Sequence, residues 1–163
     1  MIIVISGSVG AGKTSVANKL GEKLDYEVIS LSNWAQKYKI SYDNEFETFD
    51  FDIDKMLEEV EEYLKENRDK NLILESHFAH FIKQEFVDLL IIINRDLKEL
   101  KNVYLEREYN EDKISENLEV ESFNLCFYEA EEEGYDEDKV FCIDNNQELD
   151  ELVDKIMKKV LKY

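Results

Sequence analysis

The 163-residue sequence contains no proline, two cysteines and only three arginines. The cysteines, Cys126 and Cys142, have neither a metal-binding spacing nor the pattern of a disulfide framework. No apolar run approaches the ~20 residues that a membrane-spanning helix needs. These absences predict a cytoplasmic protein with reduced, buried thiols and no membrane contact.

Positive charge is also scarce, because 20 lysines and arginines face 39 acidic residues and the net charge is −19. A field of this sign repels a polyanion, so direct binding to nucleic acid is not expected. A basic protein partner suits the charge better. Solubility alone would explain the same charge, and the composition leaves the two interpretations open.

Apolar runs alternate with helical patterns along the chain, which is typical of a three-layer α/β fold with a parallel sheet. We predict one domain, residues 1–163, with five parallel strands. The strands are expected at 1–6, 26–31, 71–75, 87–93 and 140–143. Helices are expected at 13–24, 34–39, 56–66 and 149–161, with two more between 97 and 133. Residues 40–54 show no clear period, so no element is predicted there.

The segment Gly7–Thr14 matches the phosphate-loop motif G-x-x-x-x-G-K-[ST]. Its glycines, Gly10 and Gly12 among them, let successive backbone N–H groups turn toward phosphate oxygens. Lys13 would place a positive charge on the β- and γ-phosphates, and the Thr14 hydroxyl would ligate magnesium. Ser15 follows in the first turn of the helix, whose N-terminus favours anions. The motif therefore predicts ATP and Mg²⁺ as ligands.

A second acid near the magnesium is expected at the tip of a neighbouring strand. Glu75 ends the apolar run 72–75 and is our candidate, binding the metal directly or through water. His77 follows closely and could orient a water or hydroxyl beside the γ-phosphate. It could instead be a hydrogen-bonded structural histidine, which is the interpretation we favour for His80.

Two further segments point beyond a simple ATPase. Residues 30–53 lie where small nucleotide kinases fold over the acceptor, and residues 106–116 lie where a small lid is expected. Arg107, within that lid, would neutralise charge on the transferred phosphoryl group and contact the bound nucleotide. A surface arginine paired with Glu111 one helical turn later is the alternative.

The chain resembles the adenylate kinase isoenzyme 6 family of archaea and eukaryotes over essentially its whole length. The residues that carry the resemblance are Gly7–Ser15, Tyr42–Glu45, Glu75–His77 and Arg107–Asn117. The resemblance implies a phosphate-loop NTPase fold with a short monophosphate-binding region and a small lid. It also implies phosphoryl transfer from ATP to AMP or another nucleoside monophosphate, accompanied by ATP hydrolysis. Lys13, Glu75, His77 and Arg107 would be the catalytic residues.

The same resemblance implies a transient role in small ribosomal subunit maturation, through a basic ribosomal protein. Three departures from the family pattern keep alternatives open. Glu75 stands where eukaryotic members have aspartate, and Glu108 replaces a lid glycine. Gln36 and Lys37 occupy a region where many members have an arginine, which leaves Lys37 or Lys39 as a weaker substitute. An ATP-driven assembly factor with residual kinase activity, or a kinase for another acceptor such as shikimate or a cytidine nucleotide, therefore remains an alternative.

Overall fold

The computed structural model describes residues 1–44 and 48–163. Its strands are β1 (Ile2–Ser6), β2 (Glu27–Ser30), β3 (Lys39–Asp43), β4 (Thr48–Phe51), β5 (Leu72–Glu75), β6 (Leu89–Asn94) and β7 (Val140–Asp144). Within the described residues, five of them form one parallel sheet in the order β2-β5-β1-β6-β7. This confirms the predicted five-stranded parallel sheet.

Strand β1 lies at the centre of the sheet because its side chains are apolar on both faces. All of Ile2–Ser6 is buried, as is the apolar part of β6 beside it. Strand β5 pairs with β1 on the other side, with Ile5 opposite Glu75. The carboxyl ends of β1 and β5 therefore meet at one edge of the sheet, where ligands bind in open α/β folds.

The helices are α1 (Lys13–Leu24), α2 (Leu31–Ala35), α3 (Ile53–Glu66), α4 (Leu97–Glu106), α5 (Glu111–Ser122), α6 (Leu125–Glu132) and α7 (Leu149–Val160). Buried side chains of α1 and α7 pack on one face of the sheet, and those of α2, α3 and α6 pack on the other. The three-layer architecture is thus as predicted. Of the helices in residues 1–44 and 48–163, none combines the length and apolar composition that crossing a membrane requires.

The segment with no predicted element forms an antiparallel hairpin of β3 and β4, with Lys39 opposite Phe51. Strand β3 is largely exposed on both faces. It therefore lacks the alternation of apolar and polar residues by which a half-buried strand is recognised. Residues 45–47, including Glu45 of the segment that carries the resemblance, lie outside the described residues.

Three helices, rather than the predicted two, occupy residues 97–132. The additional break separates α5 from α6 at Asn124, whose φ is 53°. Asparagine tolerates this left-handed conformation better than most residues, because its short side chain can hydrogen-bond locally. A change of chain direction at one asparagine leaves little trace in the hydrophobic pattern on either side.

The two thiols are free but differ in exposure. Cys126 on α6 is buried, whereas Cys142 on β7 is exposed, so the prediction of buried thiols is wrong for Cys142. Strand β7 lies at one edge of the sheet, where coverage by helices is incomplete.

Candidate active site

The loop between β1 and α1 has a positive φ, which glycine adopts more readily than other residues, at three positions, Gly7, Gly10 and Gly12. Gly7 has a φ of 135°, and a Cβ there would lie 2.2 Å from the carbonyl oxygen of Ile93. Gly12 has a φ of 100°, and a Cβ there would lie 2.6 Å from Nδ2 of Asn145. Any larger residue would therefore distort the loop.

The N-terminus of α1 opens into a cleft with a volume of about 460 Å³. The N–H of Val16 makes the first hydrogen bond along the helix, to the carbonyl oxygen of Gly12. The preceding N–H groups have no helical acceptor, as at every helix N-terminus. The predicted phosphate-contacting residues of the loop all line this cleft, namely Gly10, Gly12, Lys13, Thr14 and Ser15. The geometry is that of an anion-binding helix terminus.

Lys13 is buried beneath the loop, with 8% of its surface exposed. Its ammonium donates hydrogen bonds to the carbonyl oxygens of Gly7 and Ser8, both at 2.8 Å. Burial lowers the pKa of Lys13 to about 8, while the negative groups around it, including Glu75, act in the opposite direction. The ammonium is therefore charged at neutral pH and loses its proton in mildly alkaline solution.

Thr14 and Glu75 lie side by side at the floor of the cleft. The Thr14 hydroxyl donates a hydrogen bond of 3.1 Å to Oε2 of Glu75, and Glu75 is only 4% exposed. A hydroxyl and a carboxylate next to a phosphate cradle are oxygen ligands of the kind that Mg²⁺ prefers. The residues present thus fit a magnesium ion held between the loop and the end of β5.

His77 lines the same cleft, two residues beyond Glu75. The ring reaches solvent at the mouth of the cleft, and its edge packs against Phe78 at a centroid distance of 4.8 Å. Partial desolvation of the ring inside the cleft lowers the pKa of His77 below its usual range, and the positive charge of Lys13 lowers it further. The imidazole is therefore neutral near pH 7 and can both accept and donate a hydrogen bond.

Arg107 follows α4 and also lines the cleft. Its guanidinium is exposed and approaches the Tyr109 hydroxyl at 3.5 Å. Among the ion pairs of the described residues, none joins Arg107 to Glu111, so the alternative of a surface ion pair finds no support. Glu108 has a φ of 57°, which explains why a glycine suits this lid position in the family that the chain resembles.

Side chains distant in sequence also fix the loop, and sequence reasoning assigned them no role. Three donate hydrogen bonds to loop carbonyls: Arg95 to Gly10 at 3.0 Å, Tyr104 to Val9 at 2.6 Å and Asn145 to Ala11 at 2.8 Å. Arg95 and Asn145 each follow directly on a strand of the sheet. Because ligands bind at the carboxyl ends of parallel strands, this position could have identified both residues from the sequence. Tyr104 gives no such signal.

Glu121 connects helix α5 to the phosphate loop. Its carboxylate accepts hydrogen bonds from the Ser8 hydroxyl at 2.5 Å and from the backbone N–H of Arg95 at 2.7 Å. It lies near the C-terminus of α5, at the opposite end of that helix from the turn that carries Arg107. Helix α5 and the phosphate loop are therefore connected by a hydrogen bond, which no local pattern indicated.

On the acceptor side, Lys37 makes contacts away from the cleft. Its ammonium lies 3.4 Å from Glu59 and 5.4 Å from the centre of the Trp34 ring. In the part of the chain that the structure describes, the basic side chains lining the cleft are Lys13, Arg95 and Arg107. Arg95 is thus an additional cation beside the phosphate loop, whereas Lys37 is not among the residues that line the cleft.

His80 is 1% exposed, and both of its ring nitrogens have partners. Nδ1 lies 2.6 Å from the Ser6 hydroxyl, and Nε2 lies 2.8 Å from Oε2 of Glu129. Burial lowers the pKa of His80 to about 4. A neutral ring satisfies both contacts when the Ser6 hydroxyl donates to Nδ1 and Nε2–H donates to Glu129. This geometry agrees with the structural interpretation of His80.

Comparison with known proteins places the chain among nucleotide-binding proteins. Residues 3–124 match the family described as AAA domain. A Thermococcus kodakarensis protein named "Putative adenylate kinase" is 33% identical over 134 residues, covering 82% of this chain and 72% of that protein. A Methanococcus maripaludis protein of the same name is 29% identical over 168 aligned positions, covering 100% of this chain and 88% of the relative.

Solved kinase structures share the architecture. Shikimate kinase from Acinetobacter baumannii, in complex with shikimate, superposes with a TM-score of 0.65. The alignment covers 99% of this chain and 93% of that chain, at 17% sequence identity. At this identity the likeness establishes a common fold and carries no information about the acceptor.

Proposed function

We propose that this chain, which belongs to the adenylate-kinase-like family of phosphate-loop proteins, transfers the γ-phosphate of ATP to AMP or another nucleoside monophosphate. One observation carries the proposal. Lys13 and Thr14 of the phosphate loop, Glu75 at the end of β5 and Arg107 after α4 come from three separate places in the chain and line one cleft at the carboxyl edge of the sheet. Phosphoryl transfer requires a cation beside the donor phosphates, ligands for the metal and a cation at the transferred group. Lys13, the pair Thr14 and Glu75, and Arg107 would fill these roles in that order.

The loop N–H groups and Lys13 hold the phosphates of the donor. Thr14 and Glu75 would hold Mg²⁺, which would neutralise charge on the donor phosphates. Arg107 lines the cleft from the exposed turn after α4. Its guanidinium would contact the transferred phosphoryl group when the predicted lid, residues 106–116, closes over the cleft. Its planar fork binds two phosphate oxygens through parallel hydrogen bonds, a fixed geometry that the single ammonium of a lysine does not offer.

A panel of acceptors tests the proposed function. Purified protein with ATP and Mg²⁺ is assayed against the four common nucleoside monophosphates, and ATP hydrolysis without acceptor is measured in parallel. We expect AMP, or another monophosphate, to raise ADP formation well above the hydrolytic rate. Equal rates with and without every monophosphate would contradict the kinase assignment.

We also propose that the chain hydrolyses ATP, with His77 orienting the attacking water. Because the imidazole of His77 is neutral, it can accept a hydrogen bond from water at the mouth of the cleft. The variant His77→Ala is expected to lower hydrolysis by about 10²-fold or more, in line with the loss of a positioned proton acceptor. Transfer to AMP should fall less, because the acceptor phosphate replaces the water. Both rates, ATP hydrolysis and transfer to AMP, are measured on the same preparation of the variant. A larger loss of transfer than of hydrolysis would exclude the role of His77 in orienting water.

A second candidate is an ATP-driven factor in small ribosomal subunit maturation, whose kinase activity is residual. The net charge of −19 and the contact of Lys37 with Glu59, away from the cleft, favour it. It requires a basic small-subunit ribosomal protein that binds differently in the ATP and ADP states. Binding to a panel of purified basic small-subunit ribosomal proteins, measured with each nucleotide, separates this candidate from a purely metabolic kinase. Failure to bind any of them in either state would remove it.

A further inference from the structure

A second group of ligand-bearing side chains lies outside the nucleotide cleft. The donor atoms of His80, Cys126 and Glu129 all lie within 4.8 Å of one another. His80 belongs to the short turn Ala79–Phe81 after β5, and the other two residues are three apart on α6 and so share a face of that helix. The fold thus brings together an imidazole, a thiol and a carboxylate that the sequence separates by up to 49 positions.

We propose that His80, Cys126 and Glu129 form a binding site for a zinc-class transition-metal dication. Nitrogen, sulfur and carboxylate oxygen are the donor types that Zn²⁺ takes, at bond lengths that set tetrahedral donor-to-donor distances of roughly 3.4–3.6 Å. Nε2 of His80 and Oε2 of Glu129 are 2.8 Å apart, and Sγ lies within 4.8 Å of both. Side-chain movements of about an ångström or less therefore convert the hydrogen-bonded cluster into a three-donor metal site.

The surroundings of His80 support this assignment. Its Nδ1 contacts the Ser6 hydroxyl at 2.6 Å, which directs Nε2 toward the other two donors. Metal-binding histidines typically donate their other ring N–H to such a partner, so a metal on Nε2 would move the ring proton to Nδ1, which would then donate to the Ser6 oxygen. Glu129 is 38% exposed, so the solvent side of the cluster is open to a water as fourth ligand.

The donor set separates this site from the magnesium site of Thr14 and Glu75. Thiolate and imidazole select zinc, cobalt or copper, whereas Mg²⁺ takes oxygen ligands almost exclusively. The cluster also adjoins the phosphate loop, because Ser6 directly precedes Gly7. A bound ion would link α6 to the turn after β5, in which His80 contacts Ser6 at the end of β1.

Cobalt binding tests the proposal, because a thiolate ligand gives Co²⁺ an intense charge-transfer absorption. The full chain is freed of metal with a chelator and titrated with Co²⁺ in excess Mg²⁺. We expect one equivalent of Co²⁺ to produce the thiolate band, and added Zn²⁺ to abolish it. Cys126→Ser should eliminate the band, while Cys142→Ser, which removes the exposed thiol, should retain it.

A second variant and a second measurement guard against misfolding of Cys126→Ser. Glu129→Gln changes a partly exposed side chain, and we expect it to fold normally while weakening Co²⁺ binding by at least about tenfold. Added Zn²⁺ should raise the melting temperature of the wild type and of Cys142→Ser, and leave that of Glu129→Gln nearly unchanged. No thiolate band, or a band lost with Cys142 instead of Cys126, would overturn the proposal.

Discussion

The variant Lys13→Ala is expected to abolish both phosphoryl transfer and ATP hydrolysis, with a loss of at least about 10³-fold in kcat. Lys13 is the buried cation beneath the loop, and its ammonium is within reach of any phosphate bound at the N-terminus of α1. Removing it leaves charge that develops on the donor phosphates without a fixed partner. Initial rates of ADP formation, with and without AMP, measure the effect. Unchanged turnover would refute the role assigned to Lys13.

Folding of this variant is checked by circular dichroism and thermal melting. Because burial lowers the pKa of Lys13, the charged ammonium costs the fold free energy, and its removal is not expected to unfold the chain. The pH dependence of ATP binding supplies an independent control. ATP favours the charged lysine, so wild-type affinity should be constant below about pH 8 and fall above it, by up to about tenfold per pH unit.

Lys13→Arg separates charge from geometry in the same experiment. Arginine keeps its proton throughout the accessible range, so the inflection near pH 8 should disappear even if ATP binds more weakly. If the inflection persists in Lys13→Arg, a group other than Lys13 causes the loss of ATP affinity in alkaline solution.

The second large effect is expected for Arg107→Ala, which should lower kcat for phosphoryl transfer by about 10³-fold or more, as for other arginines that contact a transferring phosphoryl group. The guanidinium lines the cleft from the lid and is exposed, so its removal creates no cavity and leaves no buried group unpaired. The KM for ATP should change far less than kcat, because the loop and Lys13 provide most of the ground-state contacts. Steady-state kinetics over a range of ATP concentrations distinguish the two parameters.

Arg68→Ala is the matched control for Arg107→Ala. Arg68 is also exposed, but it donates to the carbonyl oxygen of Phe86 and lies over the Phe86 ring, away from the cleft. It should leave both activities within about twofold of the wild type, as surface changes away from a site usually do. A loss below about tenfold for Arg107→Ala would favour a helix-surface role after all.

Much of this architecture follows from local signals. The phosphate-loop motif predicted both the cradle and the helix that follows it, and α1 begins and ends at the residues expected, Lys13 and Leu24. The inner strands β1, β5 and β6 could be recognised because strands buried on both faces are nearly continuous apolar runs. The hairpin of β3 and β4 escaped recognition for the opposite reason, since the largely exposed side chains of β3 leave no periodic pattern.

The remainder of the site depends on contacts that sequence spacing does not encode. Ser8 meets Glu121 across 113 positions, and Ala11 meets Asn145 across 134. Both contacts depend on the order of the strands in the sheet and on the packing of α5. These arise only when the whole chain folds, so no local pattern in the sequence predicts them. The cluster of His80, Cys126 and Glu129 is similar, because no motif spacing relates a turn after β5 to one face of α6.

The hydrogen bonds of Lys13 to the carbonyl oxygens of Gly7 and Ser8 have a consequence for ligand selection. The two carbonyl oxygens accept from the ammonium at 2.8 Å, so any anion that the loop binds must compete with two carbonyl dipoles for the lysine. A polyphosphate with several anionic oxygens competes better than a singly charged ion. Under the proposed function, the same competition would favour a triphosphate over the diphosphate that remains after transfer.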